Sequence, residues 1–172
     1  MRTADKVAEF LEENGIDTAF GIVGGGNIHL WDAITQRKYT KIVCVHHEQA
    51  AAQAAIGYYR TCGKVAVVLP TMGAGVSNTL TGIINAYMDS FPVLILSGQE
   101  ATHLLKTNTR VWGAQDFDHF KVFGSVTKSF YQLTDNNAYK VLPEALADAI
   151  RPRMGPVWID CPRDVQQGEQ RV

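Results

Sequence analysis

The sequence predicts a three-layer α/β domain, in which a mostly parallel β-sheet carries helices on both faces. Short apolar runs alternate along the chain with longer segments whose apolar residues recur at helical spacing, which is typical of βαβ units. The run at 64–69 is almost continuously apolar, as expected of a strand buried on both faces. The length of 172 residues fits one domain, which we assign to 1–166, with a polar C-terminal tail at 167–172.

The first half of the chain predicts strands and helices in regular alternation. A helix is predicted at 4–13, because its apolar residues fall on one face and Asn14-Gly15 supplies a stop. The elements that follow are strand 18–23, turn 24–27, helix 28–34, strand 42–45, helix 48–60, strand 64–69 and loop 70–75.

The second half continues the alternation around one long irregular segment. A polar, aromatic-bearing stretch at 102–123 is longer than most connections and therefore indicates a functional loop. Pro143 interrupts a helical stripe, and because proline is tolerated in a first helical turn, the main helix is predicted to start near Leu142. The other predicted elements are helix 76–87, strand 93–96, strand 126–133 and strand 157–160.

Composition excludes several classes of protein. With 16 basic and 17 acidic residues and no basic block, the chain is not expected to bind nucleic acid. Its apolar runs are too short to span a bilayer, and its first residues lack the apolar stretch of a secretory signal. Three widely spaced cysteines form no Cys-x-x-Cys pair, which favours a reducing, cytoplasmic location.

Glu48 is the most informative single residue. It follows the apolar run 42–45 and opens a segment rich in helix formers, so it lies where a buried strand leads into a helix. In open α/β sheets, ligands bind in the crevice beyond the carboxyl ends of the strands. A carboxyl group there suits proton exchange with a bound heterocycle. The alternative is that the acid only interacts favourably with the helix dipole.

The glycine-rich turns do not match the common nucleotide-binding motifs. A dinucleotide fingerprint read from Gly24 has His29 in place of its third glycine, and one read from Gly73 has Asn78 there. His47-Glu48 begins a string like that of a zinc protease, but Ala51 stands where the second ligand belongs. We therefore predict no metal site in this chain.

An ordered series of motifs carries a family resemblance that covers about residues 3–167. The segments are Phe20-Gly21-Ile22-Val23-Gly24-Gly25, His47-Glu48-Gln49-Ala50-Ala51, Thr71-Met72-Gly73-Ala74-Gly75-Val76-Ser77-Asn78, Asn85-Ala86-Tyr87-Met88-Asp89-Ser90-Phe91-Pro92, Gln115-Asp116, Val126-Thr127-Lys128 and Gly155-Pro156-Val157-Trp158-Ile159-Asp160-Cys161-Pro162. In this order they resemble the N-terminal, pyrimidine-binding domain of thiamine-diphosphate-dependent enzymes, in the acetolactate synthase and benzaldehyde lyase group. The resemblance implies the fold of that domain, with flavodoxin-like topology. An unrelated flavodoxin-like domain would explain the topology but not the motif series.

The resemblance also implies roles for six residues. Glu48 matches the glutamate that hydrogen-bonds N1′ of the cofactor's aminopyrimidine ring and helps to activate it, and Gln115 matches a glutamine near the reacting centre. The positions that match those around the pyrimidine are Ile22, Thr71, Ala74 and Asn78. The sequence departs from the family where Gly73-Ala74-Gly75 replaces Gly-Pro-Gly, and where Ile22-Val23 replaces Tyr-Pro.

The part of the family's site that binds diphosphate is missing from this sequence. The Gly-Asp-Gly motif does not occur, so Mg²⁺ and the diphosphate are expected on a diphosphate-binding partner subunit or domain. The resemblance therefore implies a separate subunit of a split enzyme or an excised domain, assembled as a homodimer or heterotetramer. The implied reaction is decarboxylation of a small 2-oxo acid, carboligation with an aldehyde, or both. The alternative is a non-catalytic regulatory or binding module of the same fold.

Overall fold

The computed structural model of the protein describes residues 1–106 and 109–170. The predicted irregular segment and the predicted tail therefore each include two residues, 107–108 and 171–172, that lie outside the described part of the chain. No helix in the described ranges is both long and apolar enough to cross a membrane.

Six parallel strands form one sheet, which confirms the predicted fold class. The strands are β1 (Thr18–Gly21), β2 (Lys41–Cys44), β3 (Val67–Leu69), β4 (Leu94–Gln99), β5 (Ser129–Gln132) and β6 (Val157–Pro162). Their order across the sheet is β2-β1-β3-β4-β6-β5, and each neighbouring pair is parallel. β2 lies on one side of β1, and the strands from β3 onward lie on the other side. This reversal is a topological switch point, so a ligand-binding crevice is expected beyond the carboxyl ends of β1 and β3.

Helices cover both faces of the sheet and close two separate cores. The helices are α1 (Thr3–Glu13), α2 (Ile28–Arg37), α3 (Glu48–Cys62), α4 (Ala74–Ser77), α5 (Leu80–Asp89), α6 (His119–Phe123), α7 (Ala138–Ile150) and α8 (Arg163–Gln167). One face packs against α1, α2, α7 and α8, and the other packs against α3, α4, α5 and α6. The central strands β3, β4 and β6 are buried on both faces, which explains why their sequences are apolar without alternation.

The helix predicted at 76–87 is wrong, because the chain forms two helices there. α4 ends at Ser77 and α5 begins at Leu80. At the break, the Thr79 hydroxyl donates to the carbonyl oxygen of Val76 at 2.7 Å, and the Asn78 amide donates to Glu48. A short polar side chain that bonds nearby backbone competes with helix formation, so Thr79 favours an interruption here.

The helix predicted to start near Leu142 begins earlier, at Ala138, with Pro143 inside it. The reason lies at the other end of the chain. The Gln170 side-chain carbonyl accepts the Ala138 N–H at 3.0 Å and so satisfies an amide that the first turn leaves free. A contact of this kind, between residues 32 positions apart, leaves no local signal in the sequence.

Two short helices, α6 and α8, were not predicted. α6 lies inside the segment 102–123, and the Asp118 side chain caps it by accepting the Lys121 N–H. α8 follows Pro162 directly and ends at Gln167. Beyond it, Gln170 is buried and donates to Thr3 and Thr134, so part of the predicted tail packs on the domain. The domain boundary at 166 stays a prediction.

Candidate active site

Glu48 lies at the carboxyl edge of the sheet, as the sequence predicts. It is the first residue of α3, and the preceding His47 caps this helix by accepting the Gln49 N–H at its Nδ1. Glu48 is only 7% exposed, whereas an acid whose only role is to interact with the helix dipole could remain at the surface. The Asn78 amide donates to Glu48 Oε2 at 2.9 Å. The carboxylate therefore points into the domain, toward the loop that follows β3.

The other carboxylate oxygen, Oε1, accepts no hydrogen bond from the described residues, and it lies beside Gly75. A methyl group added at Gly75 would come within 3.0 Å of Oε1 and 2.7 Å of the Thr71 Cγ2 atom. The absence of a side chain at this position keeps the approach to Oε1 open. One oxygen of Glu48 is thus held by Asn78, and the other is available to a ligand.

Thr71 joins the loop after β3 to the loop after β1. Its hydroxyl oxygen accepts the Gly26 N–H at 3.1 Å, across the switch point between the two strands. Next to it, the buried side chain of Asn27 donates to the carbonyl oxygens of Ile22 and Leu69, each at 3.1 Å. Ile22 therefore lies in the same crevice, with its carbonyl oxygen already engaged. The sequence marks Asn27 as a turn residue but does not reveal this bridging role.

Ala74 and Gln115 lie at the outer side of the same loop, and both are exposed. Ala74 opens α4, directly after Gly73, whose φ of +58° is unfavourable for residues with side chains. A methyl group on Gly73 would come within 2.2 Å of the Gln115 carbonyl oxygen. The irregular segment thus folds over Gly73 and brings Gln115 to the loop that carries Thr71 and Asn78.

Behind Gly73 lies a buried ionic cluster that the sequence did not predict. His119, whose isolated position in the sequence favours an ordinary surface or core residue, is fully buried, and its Nε2 and Nδ1 atoms lie 2.9 Å from Asp116 and 2.8 Å from Asp160. Burial alone lowers the pKa of His119, but the two carboxylates outweigh that effect and raise the pKa to about 9. His119 is therefore charged at neutral pH.

Together, the site elements form a crevice floored by small residues, with one buried carboxylate at its side. Such a crevice can take a flat, polar ring, because Gly75 has no side chain to block the approach to Oε1, and Oε1 can share a proton with a ring nitrogen. Among the residues that the structure describes, no group of three or more histidine, cysteine, aspartate or glutamate side chains could hold a metal ion.

Comparison with known proteins gives one family and a consistent set of relatives. The model of the family described as "Thiamine pyrophosphate enzyme, N-terminal TPP binding domain" matches residues 1–122. A probable acetolactate synthase large subunit from Methanocaldococcus jannaschii is 37% identical over 98% of this chain and 28% of its own length. The large subunits from Corynebacterium glutamicum and, as isozyme 1, Escherichia coli are 36% and 35% identical over 98% and 95% of this chain. The chain spans about a quarter of the length of these relatives, 26% and 28% in the last two.

Proposed function

The chain belongs to the family of thiamine pyrophosphate enzymes, as their N-terminal TPP binding domain, and on this basis we propose that it forms the pyrimidine-binding half of a thiamine-diphosphate site. The observation that carries the proposal is the state of Glu48, a buried carboxylate whose Oε2 is held by Asn78 and whose Oε1 has no hydrogen-bond donor among the described residues. The other half of the site, with the diphosphate and Mg²⁺, belongs to a diphosphate-binding partner subunit or domain.

The residues of the crevice fit an aminopyrimidine ring. Glu48 Oε1 would accept or donate the hydrogen bond to the ring nitrogen N1′, because Asn78 holds the other carboxylate oxygen. Thr71, Ala74 and Ile22 would surround the ring, and the lack of a side chain at Gly75 would permit its approach to Glu48. We assign a contact with the substrate to Gln115, which is exposed and whose backbone lies against Gly73. When bound, thiamine diphosphate supplies a nucleophilic carbon that adds to a substrate carbonyl. The task of Glu48 is to hold and return one proton at N1′, while its burial keeps water away from that contact.

The reaction that we propose is decarboxylation of a small 2-oxo acid, carboligation with a second carbonyl compound, or both. This follows the names of the relatives, which are acetolactate synthases, and the match of Gln115 to a residue near the reacting centre. We assign the enzyme to the decarboxylases and carboligases, either lyase or transferase.

The partner and the location are part of the same proposal. Because the sequence contains no Gly-Asp-Gly, we assign the diphosphate and Mg²⁺ to a diphosphate-binding chain or domain that completes the site. We expect a homodimer or a heterotetramer, with contact through the segment 73–89, whose Tyr87 and Met88 are exposed. Cysteine usage favours the cytoplasm.

Replacement of Glu48 by glutamine tests the proposal. Glutamine keeps the size of the side chain and an oxygen for the Asn78 amide, but it cannot take up the proton of N1′. We expect Glu48→Gln, mixed with a diphosphate-binding partner, to lower thiamine-diphosphate-dependent pyruvate consumption by about 10²–10⁴-fold. The same change at the exposed Glu13 is the matched control and should leave the rate unchanged.

The products and the outcome for Glu48→Gln separate the candidate functions. Acetaldehyde indicates decarboxylation alone, whereas acetolactate indicates carboligation. Wild-type rates for Glu48→Gln, with an unchanged circular dichroism spectrum, would contradict the catalytic role. No turnover by the wild-type chain with any diphosphate-binding partner would instead favour a regulatory or binding module.

A further inference from the structure

The buried ionic cluster behind the site holds its histidine at both ring nitrogens. His119 Nδ1 lies 2.8 Å from Asp160 Oδ1, and Nε2 lies 2.9 Å from Asp116 Oδ1. A neutral imidazole has one donor and one acceptor nitrogen, so it would turn a lone pair toward one of the two carboxylates. Only the imidazolium donates at both ends. The two distances fit a cation that links two anions.

One end of this link is fixed to the sheet. Asp160 belongs to β6, and its Oδ1 also accepts from the Trp158 indole N–H at 2.7 Å and from the Ser97 hydroxyl at 3.0 Å. β4 adds the uncharged Gln99 amide, which lies 3.1 Å from Nδ1, and the rings of Phe117 and Trp158 pack edge-on against the imidazole. The buried strands β4 and β6 thus fix Asp160 and the ring.

The other end of the link leads to the candidate site. Asp116 Oδ1 accepts the Gly73 N–H at 2.9 Å, and its Oδ2 accepts the Glu100 N–H at 3.3 Å. Gly73 is the residue that precedes α4, and the Gln115 carbonyl oxygen packs against it. The contacts therefore run without a gap from β6 through His119 and Asp116 to the backbone of the loop at 70–75.

We propose that His119 is a positioning residue, whose charged ring ties Asp116 to β6 and so fixes Gly73 and Gln115 relative to Glu48. What the site binds rests on the proposed function, but the coupling between His119 and Gly73 is a property of this chain alone. With His119 charged, the Asp116 carboxylate is held by the ring as well as by the backbone N–H groups of Gly73, Glu100 and Phe117. Without that charge, Asp116 and Asp160 lack the cation between them, and the loop loses its anchor.

The pKa of His119, raised to about 9, sets the pH range in which the anchor exists. Below that value the ring is charged and the link is complete. As the pH rises through about 9, the ring loses a proton and Gly73 is released. The two carboxylates that face the ring are Asp116, from the segment before α6, and Asp160, from β6.

Nuclear magnetic resonance on the full chain, without partner or cofactor, tests the coupling. In the wild type, we expect the His119 ring protons and the Gly73 amide to shift with one shared midpoint near pH 9. In His119→Gln at pH 7, we expect the Gly73 amide to exchange with solvent about tenfold faster or more, relative to the amide of Ala149 in α7. His103→Gln, at an exposed histidine, is the matched control and should change neither amide.

Three results would overturn the proposal. The first is a His119 ring that is neutral at pH 7, the second is a Gly73 amide that does not follow its titration, and the third is equal acceleration of the Gly73 and Ala149 amides in His119→Gln. If the variant does not fold, the titration of the wild type alone decides, because either of the first two results would still overturn the proposal.

Activity with the partner separates this inference from the proposed function. If both hold, His119→Gln lowers the rate and loses the inflection near pH 9 that the wild type shows. If the Gly73 amide shifts with the titration of His119 but the chain never supports thiamine-diphosphate-dependent turnover, the positioning role stands and the proposed function fails. Turnover with an identical pH profile in wild type and variant would support the proposed function and contradict the positioning role.

Discussion

At the scale of single residues, the contact between Asn78 and Glu48 carries most of the site's organisation. A buried carboxylate is costly unless hydrogen bonds stabilise it, and the Asn78 amide supplies one to Oε2. The same contact decides which oxygen remains free. Asn78 lies at the break between α4 and α5, so the interruption of the helical pattern is what brings this side chain to the carboxylate.

We expect Asn78→Ala to lower both activity and stability. Removal of the amide leaves Glu48 Oε2 buried without a donor, which typically costs about 1–3 kcal/mol in free energy of unfolding. Because the carboxylate can then rotate, we also expect pyruvate consumption with the partner to fall by about tenfold or more. Urea unfolding and the partner assay measure the two effects.

The control is Asn85→Ala, which removes an exposed amide that bonds Gln53 on α3. This surface change should alter the free energy of unfolding by less than about 0.5 kcal/mol. Equal stability and activity for the two variants would show that Asn78 is not specifically needed.

Sequence reasoning reaches the single residues of the site unevenly, for physical reasons. Glu48 is recognisable because the chain alternates a buried strand with a helix, and the residue between them must lie at the strand's carboxyl end. His119 is not recognisable, because nothing near it in the chain reveals that Asp160, 41 positions later, lies against its ring. Asn27 gives a turn signal, but its bond to Leu69 depends on the pairing of β1 with β3.

At the scale of elements, the close approach of α3 and α5 is the contact most sensitive to side-chain size. Gly82 on α5 is buried, and a methyl group there would lie 2.3 Å from the Cβ atom of Ala52 on α3. The two helices are therefore held together at a distance that only small residues allow. This packing also holds the start of α3, where Glu48 lies, against the segment that carries Asn78.

We expect Gly82→Ala to lower the free energy of unfolding by about 1–3 kcal/mol, because the added methyl forces the helices apart. Gly57→Ala is the matched control on α3, where the added methyl meets no atom within 4 Å. That change should stabilise the protein by about 0.5–1 kcal/mol, since alanine is the better helix former. Urea midpoints measured side by side give the comparison, and a stabilising Gly82→Ala would contradict the packing described.

Helices and strands can be predicted from the sequence where local residue patterns determine them, but not where contacts between distant residues do. α1 follows its apolar spacing and its Asn14-Gly15 stop, and α3 follows its run of helix-forming residues. The start of α7 does not, because Gln170 supplies the acceptor for its first turn. β4 extends to Gln99, beyond the predicted end at 96, since Ser97 and Gln99 are buried by the ionic cluster rather than by apolar packing.

At the scale of the whole molecule, the ionic cluster should make stability depend on alkaline pH. The folded state raises the pKa of His119 from its ordinary 6.5 to about 9, so the folded protein holds the proton more tightly than the unfolded chain does. The resulting stabilisation is complete below about pH 6.5 and is lost as the pH rises to about 9. Its size, from the shift of the pKa, is about 3 kcal/mol.

We therefore expect the free energy of unfolding by urea to fall between pH 6.5 and 9.5 in the wild type. In His119→Gln the protein should be less stable at pH 6.5 but should show a much flatter dependence over the same range, because the titrating group is gone. The slope, rather than the level, is the measurement that matters. Equal slopes in the wild type and the variant would show that His119 is not the group responsible for the pH dependence.

The two ends of the described chain lie side by side at the carboxyl edge of the sheet. The Gln170 N–H donates to the Met1 carbonyl oxygen, the Thr3 N–H donates to that of Gly168, and Gln170 also contacts Thr134, just beyond β5. A tether attached at either terminus, natural or engineered, would therefore leave the domain on the same side as Glu48. A diphosphate-binding domain fused at either end would therefore begin on the side of the sheet where the proposed site lies, and a short linker would favour its contact with that site.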